Sequence, residues 1–388
     1  MASRTALPVL GTRALNRATL ARQLLLGRVE MSARDAVAHL VGLQAQNVKP
    51  PYFQLHARLA GFRPAELAGL MESREVVRMV TMRSTIHTHT ADDALTLRPL
   101  VQPARDREVN YFRKGLVGAD LDRLAGLARA FVESEPRTMA EIREELLKEW
   151  PDADPQSLSV AARCRLPLVQ VTPRGVWGRA GQVRLTTVEN WLGRVVLEAD
   201  GVGGVSGLGE VSGVSGVGEV AALDGVVLRY LAAFGPASVK DMQTWAGLTR
   251  LRAAFERLRP RLVAFQDENG VELFDLPDAP RPAADTPAPP RFLPEFDNLL
   301  LSHADRGRVI TPEGKGRSWT GNQAHCVLLV DGFLAGLWKL DGGLLTVELF
   351  DEKPSRERRA EIVAEGESLV AQMTDGSGSG VRFASIRG

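Results

Sequence analysis

At 388 residues the chain exceeds what one hydrophobic core usually organises, so two to four compact units are expected. With 44% apolar and 24% charged residues, and no run near the ~20 apolar residues that span a bilayer, the composition excludes a helical membrane protein. The opening residues Met1 to Ala6 form no apolar signal core, Cys164 and Cys326 match no metal-ligand spacing, and no glycine-rich phosphate loop occurs. A cytoplasmic protein without metal or other cofactor is therefore the expectation. The net charge of +1 hides a segregation: residues 262–388 hold 13 Lys and Arg against 20 Asp and Glu, which leaves about +8 for residues 1–261. Arginine dominates the basic part, and its planar fork suits phosphates and base edges.

In chain order, a helix-start signature of Ser or Thr followed three residues later by Asp or Glu occurs three times, at Ser32 with Asp35, Thr138 with Glu141 and Ser238 with Asp241. The starts lie 106 and 100 residues apart. Each follows apolar residues at helical spacing: Leu20, Leu24 and Leu25, then Leu121, Leu124 and Leu127, then Val227, Leu228 and Leu231. Each leads through another helical stretch into strand-like sequence: residues 76–90 in the first copy, 168–171 and 183–187 in the second. In the third, residues 248–258 read as a helix, 262–265 and 271–274 as strands, and Glu268-Asn269-Gly270 as their turn. Three helices and a β-hairpin make a winged helix. The sequence thus predicts an α+β chain with three tandem winged helices, at 10–115, 116–200 and 221–280. The Gly/Val/Ser stretch over 201–220 predicts a flexible linker between the second and third. Beyond the Pro-rich boundary at 279–290, strands at 326–330, 332–338 and 344–350 and a charged helix at 355–373 predict a C-terminal α+β unit over 286–388.

Winged helices with basic wings place cations at phosphate spacing. Six Arg and one Glu fall between Arg163 and Arg194, with Arg174 and Arg179 near the tip of the second wing. A solvated basic face is the plainer alternative. Gln44-Ala45-Gln46 stands where the second helix gives way to Pro50-Pro51. Residues ahead of proline favour extended backbone, in which positions two apart share a side, so the two amides can converge. The alternative there is an ordinary polar helix end. His87 and His89 lie two apart in a predicted strand, and His39, His56, His303 and His325 are scattered, so structural histidines are the default.

With tandem winged helices and Val41-Gly42-Leu43-Gln44-Ala45-Gln46, Met82-Arg83-Ser84-Thr85-Ile86-His87, Arg291-Phe292-Leu293-Pro294-Glu295-Phe296-Asp297-Asn298, Asp305-Arg306, Val330-Asp331-Gly332-Phe333 and Gly336-Leu337-Trp338 in this order, the chain resembles the bacterial AlkZ/YcaQ family of alkylpurine DNA glycosylases. That resemblance implies a C-shaped winged-helix scaffold around a DNA channel. It also implies catalysis by a Gln-apolar-Gln or Gln-apolar-Asp motif, here Gln44 and Gln46. The Gln-apolar-Gln form is similar to the branch that unhooks interstrand crosslinks of azinomycin-type antibiotics. Neutral amides are no useful general bases, so two glutamines serve only to place a water and stabilise charge, which suffices for a cationic N7- or N3-alkylated purine. Without a candidate Schiff-base lysine beside them the expected product is an abasic site.

Arg83, His87, Arg165, Arg174, Arg179, Arg306 and Arg308 are the expected DNA contacts, and Asp297 and His303 the expected channel wall. For Arg83, His87, Asp297, His303, Arg306 and Arg308 the alternative is a network that fixes the C-terminal unit to the winged helices. The expected partner is duplex DNA with alkylated purines, bound by a monomer that is nucleoid-associated when on DNA. A non-enzymatic winged-helix transcriptional regulator remains the rival reading, although such proteins usually dimerise and no dimerisation helix is evident.

Overall fold

The computed structural model describes residues 6–194, 215–351 and 354–386. All three signature helix starts are capped by their own residues. Ser32 accepts from the Asp35 amide at 3.0 Å, Thr138 from Glu141 at 3.2 Å and Ser238 from Asp241 at 3.1 Å. In the last two the carboxylate also reaches back to the cap's own amide, at 2.6 and 2.8 Å.

The first stretch contains α1 (Thr12–Arg22), α2 (Ala33–His39), the short strand β1 (Leu43–Gln44), α3 (Pro50–Arg58), α4 (Pro64–Glu72), β2 (Val76–Val80), β3 (Ile86–Thr90), α5 (Ala91–Leu100) and α6 (Gln102–Tyr111). The second contains α7 (Leu121–Ser134), α8 (Met139–Glu149), α9 (Pro155–Arg165), β4 (Leu168–Gln170), β5 (Leu185–Thr187) and α10 (Val188–Leu192). Their strands do not form separate hairpin sheets. They join in one five-stranded sheet of order β1-β3-β2-β4-β5, in which Arg78 of β2 faces Gln170 of β4.

The third stretch has α11 (Ser215–Phe234), α12 (Val239–Ala246) and α13 (Arg252–Leu258), then the antiparallel pair β6 (Val263–Gln266) and β7 (Glu272–Asp275). Of the expected linker, residues 201–214 lie outside the described residues, and from Ser215 onward the backbone is already helical. The helix expected from residue 248 starts at Arg252.

In the last stretch β8 (Arg291–Leu293), β9 (Trp319–Thr320), β10 (Gln323–Ala324), β11 (Val327–Val330), β12 (Phe333–Asp341) and β13 (Leu344–Leu349) precede α14 (Arg356–Met373) and β14 (Gly380–Phe383). Five of these strands form a second sheet, β14-β13-β12-β11-β8, while β9 and β10 pair separately. Both tight hairpins of this sheet place their two central residues at positive φ, Asp331 (50°) and Gly332 (80°), then Gly342 (52°) and Gly343 (79°). Helix α14 does not cover this sheet alone: Ile362, Leu369 and Val370 share one apolar cluster with Trp338 and Val347 of the sheet and with Val37, Tyr52, Phe53 and Leu67 of helices α2 to α4. The acidic C-terminal unit is thereby fused to the basic N-terminal one.

Buried ion pairs complete that fusion. Arg58 grips Asp297 with two bonds of 2.8 Å and Arg22 grips Asp275 at 2.6 and 2.8 Å, with each side chain at most 1% exposed. Arg308 donates to Thr19 Oγ1 at 3.2 Å and to the Pro236 carbonyl at 2.8 Å, and the His303 ring bonds the Phe234 carbonyl at 3.0 Å. Asp297, His303 and Arg308 are thus buried in contacts between segments, where each has its partners, as in the network weighed beside channel lining.

Removing one partner of the enclosed pair leaves the other charged and dry. Arg58→Ala or Asp297→Ala is expected to lower unfolding free energy by about 3–5 kcal/mol, read from urea midpoints, while the paired apolar replacement Arg58→Met with Asp297→Leu loses less.

Candidate active site

Helix α2 ends by turning through Val41 (φ 54°) and Gly42 (φ 90°), after which the chain is extended. Glycine is required at 42 on two counts. Its φ disfavours side chains, and a Cβ there would lie 2.2 Å from Nδ1 of His89. The backbone that follows is held from three directions. Leu43 pairs with Thr88 and Gln44 with His87 across β1 and β3, and the Ala45 amide donates to Ile86 O at 2.7 Å. Gln54 of α3 donates to the Gln44 carbonyl at 3.0 Å, and Arg78 of β2 to the Ala45 carbonyl at 2.9 Å. Asn298, next to the buried Asp297, donates to the Gly42 carbonyl at 2.7 Å.

The side chains of Gln44, at the end of the strand, and Gln46, where the chain begins to bend, end on the same turn, residues 83–86. Gln44 is 3% exposed, and its Oε1 accepts from Arg83 at 2.6 Å. Gln46 is exposed, and its Oε1 accepts a long contact of 3.5 Å from the Ile86 amide. Arg83 and Ser84 carry φ of 53° and 57°, the left-handed region that non-glycine residues enter only when the surroundings demand it. Here the demand is visible: the Arg83 guanidinium also donates to the Trp245 carbonyl of α12 and reaches Nε2 of His87 at 3.3 Å.

His87 Nδ1 lies 3.0 Å from the Thr85 carbonyl. A carbonyl only accepts, so Nδ1 bears the proton and Nε2 is the acceptor for Arg83. Burial, then Arg83 and His89, hold His87 well below the usual histidine range. The His89 ring stacks on His87 with centroids 5.5 Å apart and bonds Thr81 Oγ1 at 2.8 Å, and burial brings it down to about 4. Both rings are therefore neutral at pH 7. Arg83 itself is lowered to about 10, first by burial and then by Arg306, and stays charged.

Arg306, whose charge bears on Arg83, lines a cavity of about 510 Å³ with Thr311, Lys315, Ser318 and Trp319, and its side chain has no hydrogen bond or ion pair among the described residues. The Trp319 ring meets Phe296 edge-on at 5.6 Å. Next to Gln46, Asn47 donates to Glu295 at 2.9 Å, and the Cys326 thiol donates to the other oxygen of that carboxylate at 3.1 Å.

The structure thus brings Gln44, Gln46, Arg83 and His87 together, with Arg306 close enough to bear on Arg83. Arg165, Arg174 and Arg179, also singled out from sequence, lie between residues 155 and 187. Arg165 meets Asp122 at 2.5 Å, Arg179 meets Glu72 at 3.0 Å, and Arg174 donates to the Gly181 carbonyl at 3.3 Å. Sequence reasoning assigned nothing to Gln54, Arg78, Asn47 or Glu295. Glu295 alone had a signal, since it stands within the 291–298 stretch that carries the family resemblance.

A family model described as DNA glycosylase AlkZ-like matches residues 37–371 of the chain. Among solved structures, that of Streptomyces sahachiroi DNA glycosylase AlkZ is similar with a TM-score of 0.75 at 20% identity, over 97% of this chain and 100% of that one. At such identity the likeness bears on the fold. No curated protein matches.

The buried histidines also set an acid limit. His56, His89 and His303 are lowered to about 3, 4 and 3 by burial, as His87 is lowered, whereas the unfolded chain protonates them near 6.5. Below pH 6.5 the unfolded state takes up protons that the fold refuses, so their contribution is complete above that pH and declines as pH falls toward 4. Unfolding free energies from urea titrations are expected to drop between pH 7 and 5, by up to about 1.4 kcal/mol per pH unit for each such histidine.

Proposed function

The chain belongs to the AlkZ-like family of DNA glycosylases, and from that premise we propose that it is a monofunctional enzyme that excises N7-alkylguanine and N3-alkylpurine lesions, including interstrand crosslinks of the azinomycin type. Family membership carries binding of DNA and hydrolysis of its N-glycosidic bonds. The narrower reading rests on the chemistry of the motif.

One observation supports it most. Two amides, Gln44 and Gln46, end on one turn of a rigid sheet, one shielded and one open to solvent, and neither is hydrogen-bonded to a carboxylate or a lysine among the described residues. Such a site has little capacity to pull a proton from water or to form a Schiff base. It holds a water in place and tolerates nearby positive charge. A cationic N7-alkylated guanine needs no more. Water attacks C1′ of the oxocarbenium-like sugar, the bond to N9 breaks, and its electron pair neutralises the purine. The proton passes to solvent, and an abasic site remains. Glu295, tied to the motif through Asn47, supplies negative charge for the cationic sugar.

The scaffold reading is three tandem winged helices at 10–115, 116–200 and 221–280 and a C-terminal unit at 286–388, arranged around a DNA channel and acting as a monomer. The helix triplets α7–α9 and α11–α13, each followed by an antiparallel strand pair, support it. DNA contacts fall to Arg165, Arg174, Arg179 and Arg306, residues that are at least partly exposed.

With duplex DNA carrying 7-methylguanine, followed by alkaline cleavage of abasic sites, Gln44→Ala and Gln46→Ala are each expected to lower excision at least tenfold with DNA binding retained. Wild-type protein that binds but never yields alkali-labile sites, on this substrate or on an azinomycin crosslink, would contradict the proposal. Arg179→Ala and Arg306→Ala are expected to reduce the slope of log K against log salt by about 1 each.

A further inference from the structure

We infer that Arg83 is a positioning residue: by holding Oε1 of Gln44 it fixes the amide with its Nε2–H facing the reacting groups, and it links that orientation to helix α12. The inference deepens the reading of Gln44 as catalytic and rests on it.

A glutamine amide is nearly symmetric in shape but not in chemistry, one end accepting and the other donating. With a cation 2.6 Å from one end, the orientation ceases to be free. Turning the amide over would set its N–H donors against the N–H donors of Arg83. The settled orientation leaves Nε2 without a hydrogen bond among the described residues and with its donor strength raised, because a cation at a carbonyl oxygen draws electron density from the nitrogen. Gln44 therefore donates in this site and does not accept. That suits a group that pins one lone pair of the attacking water and leaves the other aimed at C1′.

Arg83 is in turn more constrained than a DNA-contacting arginine needs to be. Its three neighbours, Gln44 Oε1, His87 Nε2 and the Trp245 carbonyl, take up donors that a phosphate would otherwise use. The Trp245 carbonyl belongs to the last turn of α12, the negative end of that helix dipole, which favours a cation. Helix α12 then stops at Gly247 (φ 70°), where a Cβ would come 2.9 Å from the Arg83 backbone nitrogen. The third unit thus presses directly on the residue that orients Gln44. His87, kept neutral with its proton on Nδ1, accepts from Arg83 and does not compete with it.

The test compares wild type, Arg83→Ala, Arg83→Lys, Gln44→Ala and the Arg83→Ala/Gln44→Ala pair on 7-methylguanine duplex. It reads single-turnover excision at saturating protein and, separately, DNA affinity across salt. Positioning predicts a rate about 10- to 100-fold lower for Arg83→Ala with affinity and salt slope unchanged. It also predicts an intermediate rate for Arg83→Lys and a double variant no slower than Gln44→Ala alone. Weaker binding with a shallower salt slope and an undiminished saturated rate would make Arg83 a phosphate contact and overturn the inference, as would additive losses in the double variant. Should Arg83→Ala fail to fold, by its thermal transition, Arg83→Lys decides: a slowed rate at intact affinity supports positioning, and a wild-type rate overturns it. A wild-type rate for Gln44→Ala would instead remove the catalytic reading beneath it, whereas a slow Gln44→Ala beside a fast Arg83→Ala removes positioning alone.

Discussion

Arg58 and Asp297 meet at 2.8 Å through two parallel bonds, both side chains shut off from water, at the join between helix α3 and the segment that follows β8. Taking two charges out of water is expensive, and their attraction roughly offsets the loss only when the geometry is fixed and the remaining donors are used. Gln23 and the Gln54 carbonyl take up two of those donors. The pair is thus better understood as a register pin than as a source of net stability. What it registers is the motif. Gln54, one turn before Arg58, holds the Gln44 carbonyl, and Asn298, one residue after Asp297, holds that of Gly42. Any slip between the two segments would move both clamps.

The site built on these clamps is preorganised for a modest task. Its backbone is fixed from α3, from β2 and β3 and from the Asn298 turn, and its two histidines are kept neutral by burial. Positive charge comes from Arg83 and Arg306 and negative charge from Glu295. Both oxygens of Glu295, the carboxylate tied to the motif through Asn47, already accept hydrogen bonds, from Asn47 and from the Cys326 thiol. His87, which strand register sets opposite Gln44, spends both ring nitrogens on Thr85 and Arg83. In the proposed reaction, two amides and the charge of Glu295 suit a leaving group that already carries the charge needed for its departure.

Local chemistry was legible in the sequence, and long-range pairing was not. The three caps and the positive-φ hairpins at Asp331 and Asp341 follow from residues a few positions apart, whose preferences act wherever the chain goes. The extended backbone expected ahead of Pro50 does not form: residues 46–49 bend and Lys49 is helical (φ −81°, ψ −36°). The resemblance implied a catalytic role for Gln44 and Gln46, which spacing alone leaves as a polar helix end. What stayed hidden depends on partners far away. The two-residue strand β1 exists because β3 lies beside it, and the second strand pair extends the first sheet because Arg78 and Gln170 are brought face to face. Asp297, His303 and Arg308 look like surface charges until Arg58, Phe234 and Thr19 are seen around them. Arg83 was noticed for its charge, yet its conformation and its grip on Gln44 follow from α12, some 160 positions on.

The order in which these partners leave the ribosome adds a constraint of another kind. Arg22 waits for Asp275, Arg58 for Asp297 and Arg17 for Asp331, so the first helices emerge with their buried cations unmatched until most of the chain has been made. Loop closures of more than two hundred residues must precede the contacts that reward them, which slows folding and favours late, concerted assembly. A truncated product ending before Asp275 would carry the whole Gln44-Ala45-Gln46 motif and none of the acidic partners that seat it. The clamps on the motif thus wait for the last third of the chain.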